Sequence, residues 1–159
     1  RRAIFLTDPE IDRDSLVHAK GERTPGTCEW VTKDKSYQAW LEGKTEILWI
    51  CGGPGKGKTM LSIYLTQELE RIRLFQYYFC NGQDDKRNNA AAVLRTLIWQ
   101  VLGSHEEAAQ HLARYMNDPS QRQATLTSPG TLWNLFVKIV KDVVAKNDTP
   151  ITCLIDGID

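Results

Sequence analysis

The sequence predicts an α/β fold, namely a three-layer αβα sandwich with a mainly parallel sheet that is incomplete at its C-terminus. Three apolar runs have the length of buried strands: residues 47–51, residues 74–80 and the stretch 151–159, which ends in acid. Helical patterns of apolar residues lie between them. Strands separated by helices pair in parallel through right-handed crossovers, with helices on both faces. Because three strands are few for such a sheet, we expect the chain to be a fragment of a longer protein.

A glycine-rich loop follows the first of these strands. The strand Ile47-Leu48-Trp49-Ile50-Cys51 runs into the pattern Gly-x-x-x-x-Gly-Lys-Thr, and a helix-periodic segment begins directly afterwards. Strand, loop and helix start are the context that the phosphate-binding loop of P-loop NTPases requires. Glycines let backbone N–H groups converge on phosphate oxygens, and the helix N-terminus favours the anion. The predicted nucleotide-binding residues are Gly52, Gly53, Pro54, Gly55, Lys56, Gly57, Lys58 and Thr59.

Two residues of this loop have predicted roles in the chemistry. Lys58 reaches the β- and γ-phosphates of ATP or GTP, or the β-phosphate of ADP, and the hydroxyl of Thr59 binds Mg²⁺. Lys56 also lies in the loop, but only one register satisfies the full pattern, so Lys58 is the binding lysine. The alternative, a flexible glycine–proline turn before a helix, explains neither the strand nor the helix on its two sides.

The acidic end of the last strand predicts the metal site. An apolar strand that delivers a carboxylate at its tip, about a hundred residues after a phosphate loop, is how such folds hold Mg²⁺. Asp156 is the predicted metal ligand, and Asp159 is expected to polarise the attacking water. The alternative for Asp159 is a loop carboxylate without a catalytic role. Residues 81–89 form a polar loop after the second strand and are a further candidate, although a solvated connection is at least as good an interpretation.

Helix signals divide the rest of the chain. Residues 1–27 are predicted to have little regular structure apart from a short helix around 15–19. Asp8-Pro9 predicts a turn. A helix follows the phosphate loop to about residue 71, and its apolar stripe includes Ile72. Asn89 caps the next helix, Ser104 with Glu107 predicts a capping box for a weaker helix, and Ser128-Pro129 starts a strong one. Residues 117–127 look like a loop.

Composition excludes several classes of function. The net charge is zero with 25% charged residues, so no basic field indicates nucleic acid. No apolar stretch approaches the roughly 20 residues of a membrane span. The four cysteines contain no Cys-x-x-Cys pair, which makes zinc a poor fit, and three of them lie in segments expected to be buried. They predict reduced core cysteines in an intracellular, cytoplasmic protein.

The order of motifs from about Gly26 onward resembles the NACHT domains of fungal NOD-like receptor proteins. The segments that carry this resemblance are Gly26-Thr27-Cys28-Glu29-Trp30, Tyr37, Trp40-Leu41, Leu48-Trp49-Ile50 with the phosphate loop, Phe79-Cys80-Asn81, Asp84-Asp85, Leu94-Arg95-Thr96-Leu97-Ile98 and Leu154-Ile155-Asp156-Gly157-Ile158-Asp159. The last of these resembles that family's Walker B element. By this resemblance, residues 1–45 are an N-terminal linker with short helices, and residues 46–159 are the NACHT core from Walker A to Walker B.

The resemblance implies a signalling NTPase of the STAND class. An ADP-bound resting state would give way to an ATP-bound state that self-associates through the NACHT domains, with slow hydrolysis in the full-length protein. An N-terminal effector domain and a C-terminal repeat sensor usually flank the module, and fungal members act in nonself recognition and regulated cell death. This fold class usually has one more strand between the phosphate-loop strand and the Walker B strand. A small-molecule kinase and a nucleotide-stabilised scaffold without turnover are the alternatives.

Overall fold

A computed structural model describes residues 1–71 and 74–158, so Ile72 and Asp159 lie outside the described residues. The described part contains eight α-helices, two short 3₁₀ helices and two strands. In chain order these are the 3₁₀ helix Arg2–Ile4, α1 (Pro9–Lys20), α2 (Trp30–Lys33), α3 (Lys35–Leu41), α4 (Lys58–Glu70), β1 (Leu74–Phe79), α5 (Ala90–Ser104), the 3₁₀ helix Glu106–Ala109, α6 (Gln110–Met116), α7 (Pro119–Thr127), α8 (Pro129–Asn147) and β2 (Ile151–Asp156).

The two strands pair in parallel. Their register runs from Leu74 opposite Ile151 to Phe79 opposite Asp156, and α5 to α8 form the connection between them. A parallel pair needs such a crossover, because the second strand must start at the same end of the sheet as the first. The sequence-based expectation of an α/β fold with parallel strands at these two places is confirmed.

Helices cover both faces of this pair of strands. Leu74 and Ile151 pack against a large cluster of buried residues from α5, α6 and α8. Phe75 and Leu154 pack against a second cluster built on α4, with help from α2 and α3. Successive residues of a strand point to opposite faces, so the two clusters lie on opposite sides of the sheet. The described residues therefore form helix, sheet and helix layers.

The predicted first strand does not form. Residues 47–51 have no regular secondary structure, and the exposed fractions of Ile47 and Trp49 are 76% and 69%. A strand depends on a neighbour for its backbone hydrogen bonds and for the burial of its side chains. Here a cleft with a volume of about 380 Å³ separates 47–52 from 152–158, and the segment has no strand partner among the described residues. The sandwich with three strands is therefore not seen, and two strands remain.

Three helix predictions need correction. Asp8 and Asp118 each cap a helix that begins with proline at its first position, so α1 and α7 replace an expected turn and an expected loop. The capping box of Ser104 and Glu107 does not form, because Ser104 is still the last residue of α5. The predicted caps at Asn89 and Ser128 are confirmed, since the Asn89 side chain accepts from Ala92 N and the Ser128 side chain accepts from Thr131 N.

The cysteines are not core residues. Cys51 and Cys153 are exposed and line the cleft, whereas Cys28 and Cys80 are partly buried. All four are free thiols. The expectation of buried cysteines depended largely on residues 47–51 being a covered strand and on full burial of β2, and the open cleft removes both conditions. Among the described residues, no helix is both long enough and apolar enough to span a bilayer.

Candidate nucleotide-binding site

The glycine-rich loop is an exposed turn whose backbone requires glycine at two positions. Gly55 and Gly57 have φ angles of 71° and 81°, in the left-handed region where a side chain is strained. Gly57 is also the N-cap of α4 and has no side chain with which to accept from the first turn. The N–H groups of that turn therefore remain available to an anion at the positive end of a 13-residue helix.

Lys58 lies across this loop. Its Nζ donates to the carbonyl oxygen of Gly52 at 2.6 Å and lies 3.4 Å from that of Gly53. The side chain thus turns back from the first residue of α4 over the start of the loop. This conformation holds a cation against the first two glycines of the loop, from which it could move to a phosphate group. Thr59, the next residue, is partly exposed in the same first turn.

Asp156 reaches this arrangement from the sheet, against which α4 packs. It is the last residue of β2, and its Oδ1 accepts a hydrogen bond of 3.0 Å from the hydroxyl of Ser62 on α4. Ser62 follows Thr59 by three residues, and residues at this spacing are neighbours on a helix surface. The structure therefore brings the predicted carboxylate to within one helical turn of the predicted metal-binding hydroxyl. Asp159 lies outside the described residues.

Asp156 is partly buried and lies next to Cys80. The backbone N–H of Cys80 donates to the carbonyl oxygen of Asp156 at 2.9 Å, which continues the strand pairing by one residue. Burial raises the pKa of the Cys80 thiol, and the nearby Asp156 carboxylate raises it further. Although Cys153 borders the open cleft, the surrounding protein keeps much of the solvent away from its thiol and raises its pKa to about 11. These shifts disfavour the thiolate form that a metal ligand or a nucleophile requires.

The donors present suit a magnesium ion that is shared with phosphate. The described residues contain no group of three or more His, Cys, Asp or Glu side chains able to hold a metal. Mg²⁺ typically takes one or two protein oxygens and completes its shell with water and phosphate oxygens. Thr59 and Asp156 offer two oxygens of this type next to a loop that suits phosphate. Lys58, Ser62 and Asp156 all line the cleft described above, together with Gly52.

The polar loop 81–89, the second candidate from the sequence, uses its side chains for hydrogen bonds and an ion pair within the fold. The side-chain oxygens of Asn81 and Asp84 each accept from a backbone N–H two residues later. Arg87 forms an ion pair of 2.5 Å with Asp12 of α1, and its carbonyl oxygen accepts from the hydroxyl of Tyr78. These contacts anchor α1 to the end of β1, which is a structural role.

Sequence reasoning missed Ser62 as a site residue. It is a hydroxyl residue in an otherwise buried apolar stretch of α4, where Leu61, Ile63 and Tyr64 surround it. A polar side chain among core positions is the signal that could have singled it out. Its partner was beyond prediction, because Asp156 lies 94 residues further along the chain.

Comparison with known proteins identifies the family. The model of the family described as Nephrocystin 3, N-terminal, matches residues 26–159. The chain belongs to this family. It is also 30% identical over 161 residues to the Vegetative incompatibility protein HET-E-1 of Podospora anserina, in a match that covers 98% of this chain. The chain spans 12% of the length of that relative. No solved structure matches it.

The family match covers the same part of the chain as the resemblance that was found from the sequence. The family match and the resemblance both begin at Gly26. The similarity to a fungal incompatibility protein fits the general form of that resemblance, a NACHT-associated region of a fungal NOD-like signalling protein. The division of the chain at residues 45 and 46, the nucleotide and the P-loop NTPase domain are finer assignments, and they remain predictions.

Proposed function

We propose that the chain is the nucleotide-binding part of a NACHT P-loop NTPase in a cytoplasmic STAND signalling protein. It takes ATP or GTP with Mg²⁺ and acts as a nucleotide-controlled switch for self-association. The observation that carries this proposal is the junction of three elements: Lys58 turned over the glycine-rich loop, the start of α4 without a side-chain cap, and Asp156 held against α4 by Ser62.

Each residue has a defined task in this proposal. Backbone N–H groups of residues 52–57 and the α4 N-terminus surround the phosphates, and Lys58 supplies the positive charge. To do so, its ammonium exchanges the carbonyl of Gly52 for a phosphate oxygen. Thr59 and Asp156 hold Mg²⁺, which neutralises the phosphates. Asp159 polarises the attacking water in slow hydrolysis.

The cleft supports the P-loop sandwich as the complete form of this fold. Residues 47–51 and β2 do not pair with each other, and the space between them is lined by both. One further strand between these two segments would supply the missing hydrogen bonds of both and would cover Ile47 and Trp49. An arrangement with a gap for one strand favours the NACHT class over small-molecule kinases, in which the two strands are expected side by side.

The switch would work through the nucleotide that the site holds. We propose an ADP-bound resting state and an ATP-bound state that self-associates, with flanking effector and repeat domains in the full-length chain. Contacts to the γ-phosphate and Mg²⁺ are a known means of biasing a two-state element. The fungal relative is named for vegetative incompatibility. For this protein we propose a role in nonself recognition and regulated cell death.

Titration of ATP, ADP and GTP into the full-length protein, with and without Mg²⁺, tests this function, with turnover followed in the same samples. Tight retention of ADP with very slow hydrolysis is the expected result. Fast turnover only after addition of a small phosphate acceptor would indicate the kinase instead. Binding without any turnover would indicate a nucleotide-stabilised scaffold. No binding of any of the three nucleotides would overturn the proposal.

A further inference from the structure

Ser62 connects the two halves of the proposed site. Its hydroxyl, on the second turn of α4, donates to Oδ1 of Asp156 at the end of β2 at a distance of 3.0 Å. Both residues are partly buried. Among residues 1–71 and 74–158, Ser62 is the one side chain that forms a hydrogen bond with the Asp156 carboxylate. Oδ2 of Asp156 accepts no side-chain hydrogen bond from these residues.

The hydroxyl is not needed to complete the packing of α4. The residues around it in the helix, Leu61, Ile63, Tyr64 and Leu65, are all buried and apolar. An alanine at position 62 would suit this packing and has a higher helix propensity. A serine hydroxyl is useful here because it can donate to the carboxylate while its short side chain keeps helix and strand close together.

We propose that Ser62 is a positioning residue for the metal ligand Asp156, an inference that rests on the proposed function. By holding Oδ1, Ser62 restricts rotation of the carboxylate and leaves Oδ2 for Mg²⁺, with Thr59 one turn earlier on the same helix. Partners of this kind orient metal ligands, and their loss typically costs about 10- to 100-fold in metal affinity. Ser62 itself contacts neither the metal nor the nucleotide.

A purely structural role would have different consequences. If Ser62 only docked α4 onto β2, its removal would weaken nucleotide binding equally with and without Mg²⁺. A positioning residue affects only the part of nucleotide affinity that depends on the metal. The dependence of ATP affinity on free Mg²⁺ therefore separates the two roles.

The test uses the full-length protein with Ser62→Ala, Ser62→Cys and Ser62→Thr. We expect Ser62→Ala to raise the Mg²⁺ concentration for half-maximal ATP affinity by about tenfold or more, with unchanged affinity in EDTA. Ser62→Cys keeps the volume but donates only weakly, so it should follow Ser62→Ala. Ser62→Thr keeps the hydroxyl and should restore the normal Mg²⁺ dependence. Ser15→Ala, on the exposed side of α1, is the matched control.

Three outcomes contradict the inference in distinguishable ways. An unchanged Mg²⁺ dependence in Ser62→Ala and Ser62→Cys, beside a loss of ATP binding in Lys58→Ala, would show that Ser62 does not position the ligand. Equal losses with and without Mg²⁺ would assign Ser62 to packing. Unchanged ATP affinity in Lys58→Ala would overturn the proposed function and this inference with it. Should Ser62→Ala fail to fold, the comparison of Ser62→Cys with Ser62→Thr gives the same answer.

Discussion

The two sides of the sheet differ in how their sequence patterns are satisfied. On the side of α5 and α8, every strong signal is realised: both helices have side-chain caps, and α8 buries an apolar stripe that includes Ile139, with no exposed surface. On the side of the glycine-rich loop, the most apolar run remains uncovered, with Ile47 76% exposed. The same kind of residue is thus core in one region and surface in the other.

The region that contributes most to stability is therefore different from the region that is proposed to bind a ligand. The α5–α8 region consists of helices that cover one another, so its apolar faces need no further element. The loop region keeps left-handed glycines, an uncapped helix start and an open cleft, features that cost stability but leave backbone groups available to a ligand. Binding sites commonly lie in such regions on a scaffold that is stabilised elsewhere.

The largest expected difference in the free energy of unfolding is between two Ile→Ala substitutions in the chain 1–159, one on each side of the sheet. Ile139→Ala should lower the free energy of unfolding by about 2–5 kcal/mol, because it leaves a cavity in the core of α8. Ile47→Ala, the matched substitution, should change it by less than about 0.5 kcal/mol, because the side chain is already in solvent. Urea unfolding followed by tryptophan fluorescence measures both. Equal costs at the two positions would mean that residues 47–51 are a buried strand.

Two buried threonines, one on each side of the sheet, extend the comparison with smaller expected changes in the free energy of unfolding. Thr96 on α5 and Thr66 on α4 are both fully buried, but among the described residues only the hydroxyl of Thr66 has hydrogen-bond partners, the carbonyl oxygen of Ile63 and the guanidinium of Arg13. Thr96→Val should raise the free energy of unfolding by about 1 kcal/mol, since it replaces an unsatisfied hydroxyl with an apolar group of the same shape. Thr66→Val should lower it by a similar amount. A loss of stability in both variants would show that Thr96 also has a partner, such as a buried water.

The smallest expected effect concerns the outer face of α8. Hydrogen bonds from Lys146 and then His111 lower the pKa of Asp142. A carboxyl with a lowered folded-state pKa adds stability above its unfolded value, about 4, and loses this contribution as the pH falls through the folded value. Asp142→Asn should therefore be slightly less stable than the parent at pH 7, and the difference should vanish in strong acid.

Asp14→Asn, at an exposed position of α1, controls for the loss of one negative charge in this comparison. A stability difference for Asp142→Asn that stays constant from pH 7 into acid would contradict the electrostatic explanation.

Local signals predicted much of the fold, and the misses have two physical causes. Asp8-Pro9 and Asp118-Pro119 carry the same cap-and-proline signal as Ser128-Pro129, and all three start helices. Only the third precedes a long apolar stripe, so the other two were interpreted as a turn and a loop. The signal for a helix start was therefore sufficient without the stripe. The predicted strand at 47–51 failed for the opposite reason, because a strand also needs a partner that local sequence does not reveal.

The candidate site was predictable to the extent that it is local. The spacing of Gly52, Gly57, Lys58 and Thr59 is a property of eight consecutive residues, and the glycine conformations and the start of α4 agree with it. The approach of Asp156 was expected from the fold class. The hydrogen bond from Ser62 that brings Asp156 to the helix depends on tertiary packing between α4 and β2, which no motif encodes.

The most direct test of nucleotide binding compares two lysines in one loop of the full-length protein. Lys58→Ala removes the cation that faces the loop carbonyls, and Lys56→Ala removes an exposed one two residues earlier. Calorimetric titration with ATP and Mg²⁺ should show a loss of affinity of about 10- to 150-fold for Lys58→Ala, since a hydrogen bond to a charged group contributes about 1.5–3 kcal/mol. Affinity in Lys56→Ala should stay close to that of the parent protein, because residue 56 is expected to contribute its backbone N–H group and not its side chain. Equal affinities in both variants and the parent would contradict the assignment of this loop as a nucleotide site.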